Sequence, residues 1–240
     1  MGVADPGHYL HHRYLRWALS QMPIEPRVIL DAGSGTGDHS IYLAQRFPRA
    51  RVLGVDVDAE RVNRCRAAVQ RMGLDNVTFE VGDLTQLTRT ESFDLVLSID
   101  VLEHIPEQAS AVRHLGHALR KGGWFFFHVP TVRPRPVPLD RWLGGFHEWA
   151  EREHLADERS ADEFLDVVRQ AGLTIVHHRK TFGYHTGELA TSIFNLARAP
   201  TRRNRVLQAL LAPACRLLVM ADTLEPQETR YAIGVVGCRE

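Results

Sequence analysis

Asp31, Gly33, Gly35 and Gly37 fall at alternate positions directly after the apolar run Val28-Ile29-Leu30. Ser40-Ile41-Tyr42-Leu43-Ala44-Gln45, a helix-forming stretch, comes next. A strand that stops at a glycine-rich turn and runs into a helix offers a ligand backbone N–H groups and a positive dipole end. Glycine accepts φ > 0 and lets a ligand reach the main chain, which a Cβ would obstruct. Asp56 lies nineteen residues beyond Gly37, at the end of a second apolar run. There, α/β nucleotide folds place a carboxylate that accepts hydrogen bonds from ribose hydroxyls. Gly82-Asp83-Leu84 puts a third acid after a third run.

Two ligands compete for that turn. A nicotinamide dinucleotide wants G-x-G-x-x-G, and here Asp38 occupies the third position, where a carboxylate would face the pyrophosphate. The pattern actually present is D-x-G-x-G-x-G. On it, with Asp56, Gly82-Asp83-Leu84 and Ser98-Ile99-Asp100-Val101-Leu102-Glu103-His104, the chain resembles the class I S-adenosylmethionine-dependent methyltransferases of the ubiquinone/menaquinone-biosynthesis-like (type 11) group. The match runs in register from Val28 to Pro130, with a looser echo to Gly172.

The resemblance implies S-adenosylmethionine as cofactor and S-adenosylhomocysteine as product. It implies a cofactor set of Asp31, Gly33, Ser34, Gly35, Gly37, Asp56, Val57, Asp83, Leu84 and Ser98. The glycine turn would surround the methionine part, Asp56 the ribose, and Asp83 with Leu84 the adenine. The charges agree. This cofactor has no phosphate but carries a carboxylate, an ammonium and a sulfonium, which suit backbone N–H groups beside Asp31 and Asp38. Arg13, on an earlier helical segment, is a further candidate for an anionic group.

Methyl transfer from a sulfonium is an in-line displacement, so the enzyme's main task is to hold the nucleophile close and collinear. A base is required where the acceptor must lose a proton. His104, just past the fourth strand, is the candidate. Metal is not expected. The alternative is the cluster Asp100, Glu103 and His104, similar to the acid-x-x-Glu-His set of some metal-using methyltransferases, with His147 or His154 completing it. Trp142, Phe146, His147, Trp149 and His154 are expected to form a lid over the acceptor.

The elements that must position these groups alternate. A helix over His8–Gln21 precedes apolar strands at 28–30, 51–56, 76–81, 93–98 and 124–129, with helices at 59–72 and from Pro106 to about Arg120. Lys121-Gly122-Gly123 reads as a turn. Strand and helix alternating at this spacing imply βαβ units and a doubly wound, Rossmann-like α/β fold. Candidate strands at 173–178 and 230–237 complete a seven-stranded sheet, mostly parallel with an antiparallel C-terminal strand. The prolines 130, 134, 136 and 138 break the rhythm, and Ser160-Ala161-Asp162-Glu163 restores it as a capping box. The expected organisation is one domain, 1–240. It comprises an N-terminal helix (1–26), a cofactor core (27–130), a lid insertion (131–159) and a sheet-completing part (160–240) with a helix over 203–221.

Composition narrows the function. Lys+Arg and Asp+Glu are both 29 in 240 residues, which removes the charge bias of a nucleic-acid binder, and Ser98-Ile99-Asp100-Val101 stands where a nucleic-acid methyltransferase would carry N/D-P-P-Y. Three scattered cysteines suit a reducing, cytoplasmic setting. No window approaches the roughly 18 apolar residues of a membrane span. Arg202 to Ala221, basic then apolar, is read as a core or dimer helix, with surface contact to a membrane as its alternative. A small-molecule acceptor, through oxygen, is the leading expectation. A nucleic-acid methyltransferase and a cofactor-binding protein without transfer are the competitors.

Overall fold

The computed structural model describes residues 6–131, 160–183, 213–214, 217 and 220–240. Helix α1 (Pro6–Ser20) leads into β1 (Val28–Ala32), α2 (Asp38–Arg46), β2 (Arg51–Asp56), α3 (Ala59–Met72) and β3 (Val77–Val81). β4 (Phe93–Ile99), α4 (Gln108–Ala118), β5 (Leu119–Pro130), α5 (Ala161–Gln170), β6 (Thr174–Gly183) and β7 (Arg230–Cys238) follow. The seven strands form one sheet in the order β3-β2-β1-β4-β5-β7-β6. β7 runs antiparallel to both its neighbours, while the pairings among β1–β5 are parallel.

Apolar runs explain the sheet's centre. β1 and β4 bury all but one residue each, and β5 buries Phe125–Val129 without a break, because helices cover both faces, so these runs are continuous rather than alternating. One core layer holds Leu10, Tyr14 and Leu15 of α1 with Leu43, Val62 and Phe126; the other holds Val112, Leu115, Phe125, Phe127 and Phe164 on the opposite face. Local chemistry sets the helix ends. Asp58 caps α3 by accepting from the N–H groups of Glu60 and Arg61, and Ser160 and Glu163 form the expected capping box of α5.

Several boundaries differ from the sequence reading. α4 starts at Gln108, two residues after Pro106, and stops at Ala118 rather than near Arg120. β5 then begins at once, so Lys121, Gly122 and Gly123 lie inside the strand's span, with the register against β4 shifting between Phe93 and Leu95. A Cβ on Gly123 would come within 3.1 Å of the Phe93 carbonyl, so the glycine that suggested a turn instead permits a close backbone crossing. β6 also extends to Gly183, beyond the expected 178. Among the described residues, no helix is long and apolar enough to cross a membrane. The expected lid, with Trp142, Phe146, His147, Trp149 and His154, and most of the 203–221 helix lie outside the described residues.

Candidate functional site

The sheet order reverses direction between β1 and β4, and such switch points open a crevice beyond the carboxyl ends of the strands. The glycine turn stands there, between β1 and α2. Its backbone is stitched to the neighbouring strand: the N–H groups of Gly33 and Ser34 both donate to the Val55 carbonyl, at 2.7 and 2.9 Å. On the far side of β2, the Gly82 N–H donates to the Asp56 carbonyl at 3.0 Å, which fixes Gly82-Asp83 beside Asp56.

Gly33 and Gly35 both have positive φ, for different reasons of space. A Cβ on Gly33 would lie 2.3 Å from Val101 Cγ2, so its smallness serves the protein's own packing. Gly35 has nothing within 4 Å of that position, so its main chain faces open space and is accessible to a ligand. The expectation that the glycines clear the way for a ligand therefore narrows to Gly35.

Asp56 is buried and holds the turn in place. Its Oδ2 accepts from the Gly35 N–H at 2.8 Å and its Oδ1 from the Asp58 N–H at 2.9 Å. Capping of α3 falls to Asp58, which leaves the second lone pairs of Asp56 for hydroxyl donors. Val57, beside it, is 75% exposed. Asp31 lies beneath the turn, where Ser40 Oγ donates to its Oδ2 at 2.5 Å and ties α2 to β1. Burial, only partly offset by that hydroxyl, pushes the Asp31 carboxyl up to about 6. The exposed Asp83 accepts from the Thr85 hydroxyl and N–H, at 2.7 and 2.8 Å, and these bonds lower its pKa. Leu84 next to it is buried. Ser34 and Ser98 are buried with hydroxyl oxygens that have no hydrogen-bond partner.

The residues beyond β4 separate into two groups. Glu103 and His104 sit on a single 3-10 turn (Leu102–His104), with His104 Nε2 at 3.8 Å from Glu103 Oε1 and about a third of its side chain exposed. Burial, and then the charge of Asp100, raise the Glu103 carboxyl well above its ordinary value. Asp100 itself turns away to imidazoles from other elements: Oδ2 is 2.5 Å from His11 Nε2 on α1, and Oδ1 is 2.6 Å from His128 Nδ1 on β5. Burial works against ionisation of Asp100, but the two imidazoles outweigh it and hold the carboxyl below its usual range. Among the described residues, the grouping of three metal-capable side chains is His11, Asp100 and His128, not Asp100, Glu103 and His104. Neither His11 nor His128 stands out in the sequence. Both lie inside segments recognised only by their apolar neighbours, and no short-range spacing links either of them to Asp100.

Arg13 points to the C-terminal part, with Nη1 3.5 Å from Asp222 Oδ2. It borders a buried network in which Tyr14 Oη donates to Asp222 Oδ2 at 2.5 Å and Arg230 Nη1 donates to Tyr14 Oη at 2.9 Å. Burial, and then Asp222, raise the Tyr14 phenol to about 12. Asp222 Oδ1 also accepts from the Gly183 N–H at the end of β6. α1, β6 and β7 are thus locked together around one carboxylate.

Comparison with known proteins bears on the family and the fold. The family described as "Methyltransferase domain" matches residues 26–197. Trans-aconitate 2-methyltransferase of Deinococcus radiodurans is 39% identical over 103 residues, 43% of this chain and 38% of that protein. Ubiquinone biosynthesis O-methyltransferase of Albidiferax ferrireducens is 28% identical over 142 residues, 58% of this chain and 55% of that protein. The chain thus spans about half the length of these relatives or less. The solved structure of coclaurine N-methyltransferase bound to N-methylheliamine and SAH superposes with a TM-score of 0.67 at 19% identity, covering 94% of this chain and 71% of that one. That likeness bears on the fold, a Rossmann-like sheet closed by an antiparallel strand. With more than half its length matched, the chain belongs to the methyltransferase-domain family.

Proposed function

We propose that the protein transfers a methyl group from S-adenosylmethionine to a small molecule, through an acceptor oxygen. One observation carries the donor half: Asp56 clamps the Gly35 N–H at 2.8 Å beside a main chain that faces open space. The residues suit this cofactor. The Asp56 lone pairs would take the ribose hydroxyls, Asp83 the adenine amino group with Leu84 as its apolar wall, and backbone N–H groups of the turn the carboxylate. The unpartnered hydroxyls of Ser34 and Ser98 add buried polar capacity at the same strand ends. When bound, the cofactor supplies an electrophilic methyl group on a sulfonium. The protein's own contribution is to orient and exclude water, with His104 assigned to receive the acceptor's proton.

The names of the two relatives support a small, oxygen-bearing acceptor. The equal counts of acidic and basic residues give no general attraction to nucleic acid. A cytoplasmic setting belongs to the same proposal and rests on the unpaired thiols of Cys65 and Cys238. Self-association, and a lid over the acceptor, are parts of it as well. Calorimetry decides the donor half: the wild type is expected to bind S-adenosylmethionine and not NAD, and NAD binding alone would sink the reading. Mass spectrometry of reactions with acceptor panels decides the rest. No product heavier by one methylene, from a protein that binds the cofactor, would mean binding without transfer.

A further inference from the structure

Beyond β4 and β5 the structure holds a side-chain cluster that the donor half does not use. Asp100, the residue after β4, has φ +52, a backbone region that L side chains rarely adopt. Its N–H donates to the His128 carbonyl at 3.0 Å, which holds the carboxylate between the imidazoles of His11 and His128. Donor atoms of the three side chains lie within 4.8 Å of one another, and they come from α1, the end of β4 and the end of β5. The second nitrogen of His128 lies 2.8 Å from Thr181 Oγ1 on β6, a partner that fixes the ring's orientation. Phe182 packs 4.7 Å from the His128 ring and 4.9 Å from the His11 ring, centre to centre, so the cluster has an aromatic wall.

We propose that His11, Asp100 and His128 bind a divalent transition-metal ion of the zinc class, with a remaining coordination position for an oxygen of the methyl acceptor. Two imidazoles and one carboxylate are a donor set that suits zinc and its neighbours rather than magnesium or calcium. Three protein ligands leave a fourth position, as catalytic zinc sites do. A hydrogen-bonded second nitrogen, as on His128, is the usual support of a metal-bound imidazole. Ligands on one zinc ion sit roughly 3.3 Å apart, so each imidazole would withdraw from the carboxylate by under ~1 Å while the three donor atoms, now within 4.8 Å of one another, draw to that spacing. At the carboxyl ends of β4 and β5, such an ion would polarise an acceptor hydroxyl or anchor an acceptor carboxylate. That role rests on the transfer reading above, whereas the site itself does not.

The test uses the full chain, stripped of metal by a chelator and titrated with Zn(II) or Co(II) without S-adenosylmethionine. The wild type is expected to take up one equivalent by elemental analysis and to give the visible absorption of four- or five-coordinate Co(II). Asp100→Asn, which keeps the side chain's size, and His11→Ala, on the partly exposed α1, are each expected to weaken uptake by about 100-fold or more. That exceeds what changes in outer-shell partners usually cost. Circular dichroism of the metal-free protein reports whether each variant is folded, and calorimetry reads cofactor binding apart from metal; should Asp100→Asn misfold, His11→Ala decides alone. No uptake by the wild type, or uptake undiminished in the folded variants, overturns the proposal. So would loss of metal in His104→Ala with retention in His11→Ala. Metal uptake and cofactor binding are read separately, so failure of either is distinguishable from failure of the other.

Discussion

The two sides of the crevice are built from different materials. On the donor side, backbone N–H groups do the holding and partners are near in sequence: Gly35 and Asp56 are 21 residues apart. Beyond β4 and β5, side chains do the holding and partners are remote. His11 and Asp100 are separated by 89 residues, and Tyr14 and Asp222 by 208. A backbone cradle is indifferent to most substitutions and suits a fixed cofactor. A side-chain lattice changes with every replacement.

That contrast can be broken at its strongest point first. Asp222→Ala leaves the buried Arg230 guanidinium without its carboxylate, and removing one partner of a buried pair costs ~3–5 kcal/mol. Urea unfolding should show a loss of that size. Calorimetry on the folded fraction should show cofactor affinity little changed if the donor side is independent. Asp56→Ala tests the other side: losing charged acceptors of the ribose hydroxyls is expected to weaken cofactor binding about 100-fold, or ~3 kcal/mol. An affinity within a few-fold of wild type would remove Asp56 from the cofactor site.

Asp31 offers a test in pH. Its folded pKa, about 6, lies above the ordinary 3.8, so the folded state binds the proton more tightly than the unfolded chain. This group's contribution is therefore fully present below about pH 4 and is lost as pH rises through about 6, a span worth up to ~3 kcal/mol. Stability measured from pH 4 to 8 should fall more for the wild type than for Asp31→Asn, and parallel curves would contradict the assignment. The smallest effect is expected at Ser160→Ala, where loss of the α5 cap should cost ~1 kcal/mol in urea unfolding and leave cofactor affinity unchanged.

The same division explains what could be read from the sequence. D-x-G-x-G-x-G and the acids after each strand are legible because each motif is contiguous and the sheet's alternation places it. Strand order follows from the connections, and the capping box at Ser160 announces its helix directly. Asp100 was legible as a candidate ligand, but its partners were not. Nothing in the spacing of His11 or His128 distinguishes them from the other eleven of the 13 histidines, and only folding brings α1 against the ends of β4 and β5. The neighbours Glu103 and His104 attracted the reading because they are adjacent in sequence, whereas the chain's turn at Asp100 aims its carboxylate elsewhere.

The placing of β7 has a consequence for the order in which this molecule is made. Among the described residues β6 pairs with β7 alone, and β7 lies between it and β5, though it comes last in sequence. During synthesis, β1 to β5 can pair as they emerge, whereas β6 has no neighbour until β7 is delivered. Thr181, and with it the support of the His128 ring, arrives only at that last step. A nascent chain can therefore close its glycine turn on Asp56 before the His128 ring gains its Thr181 partner.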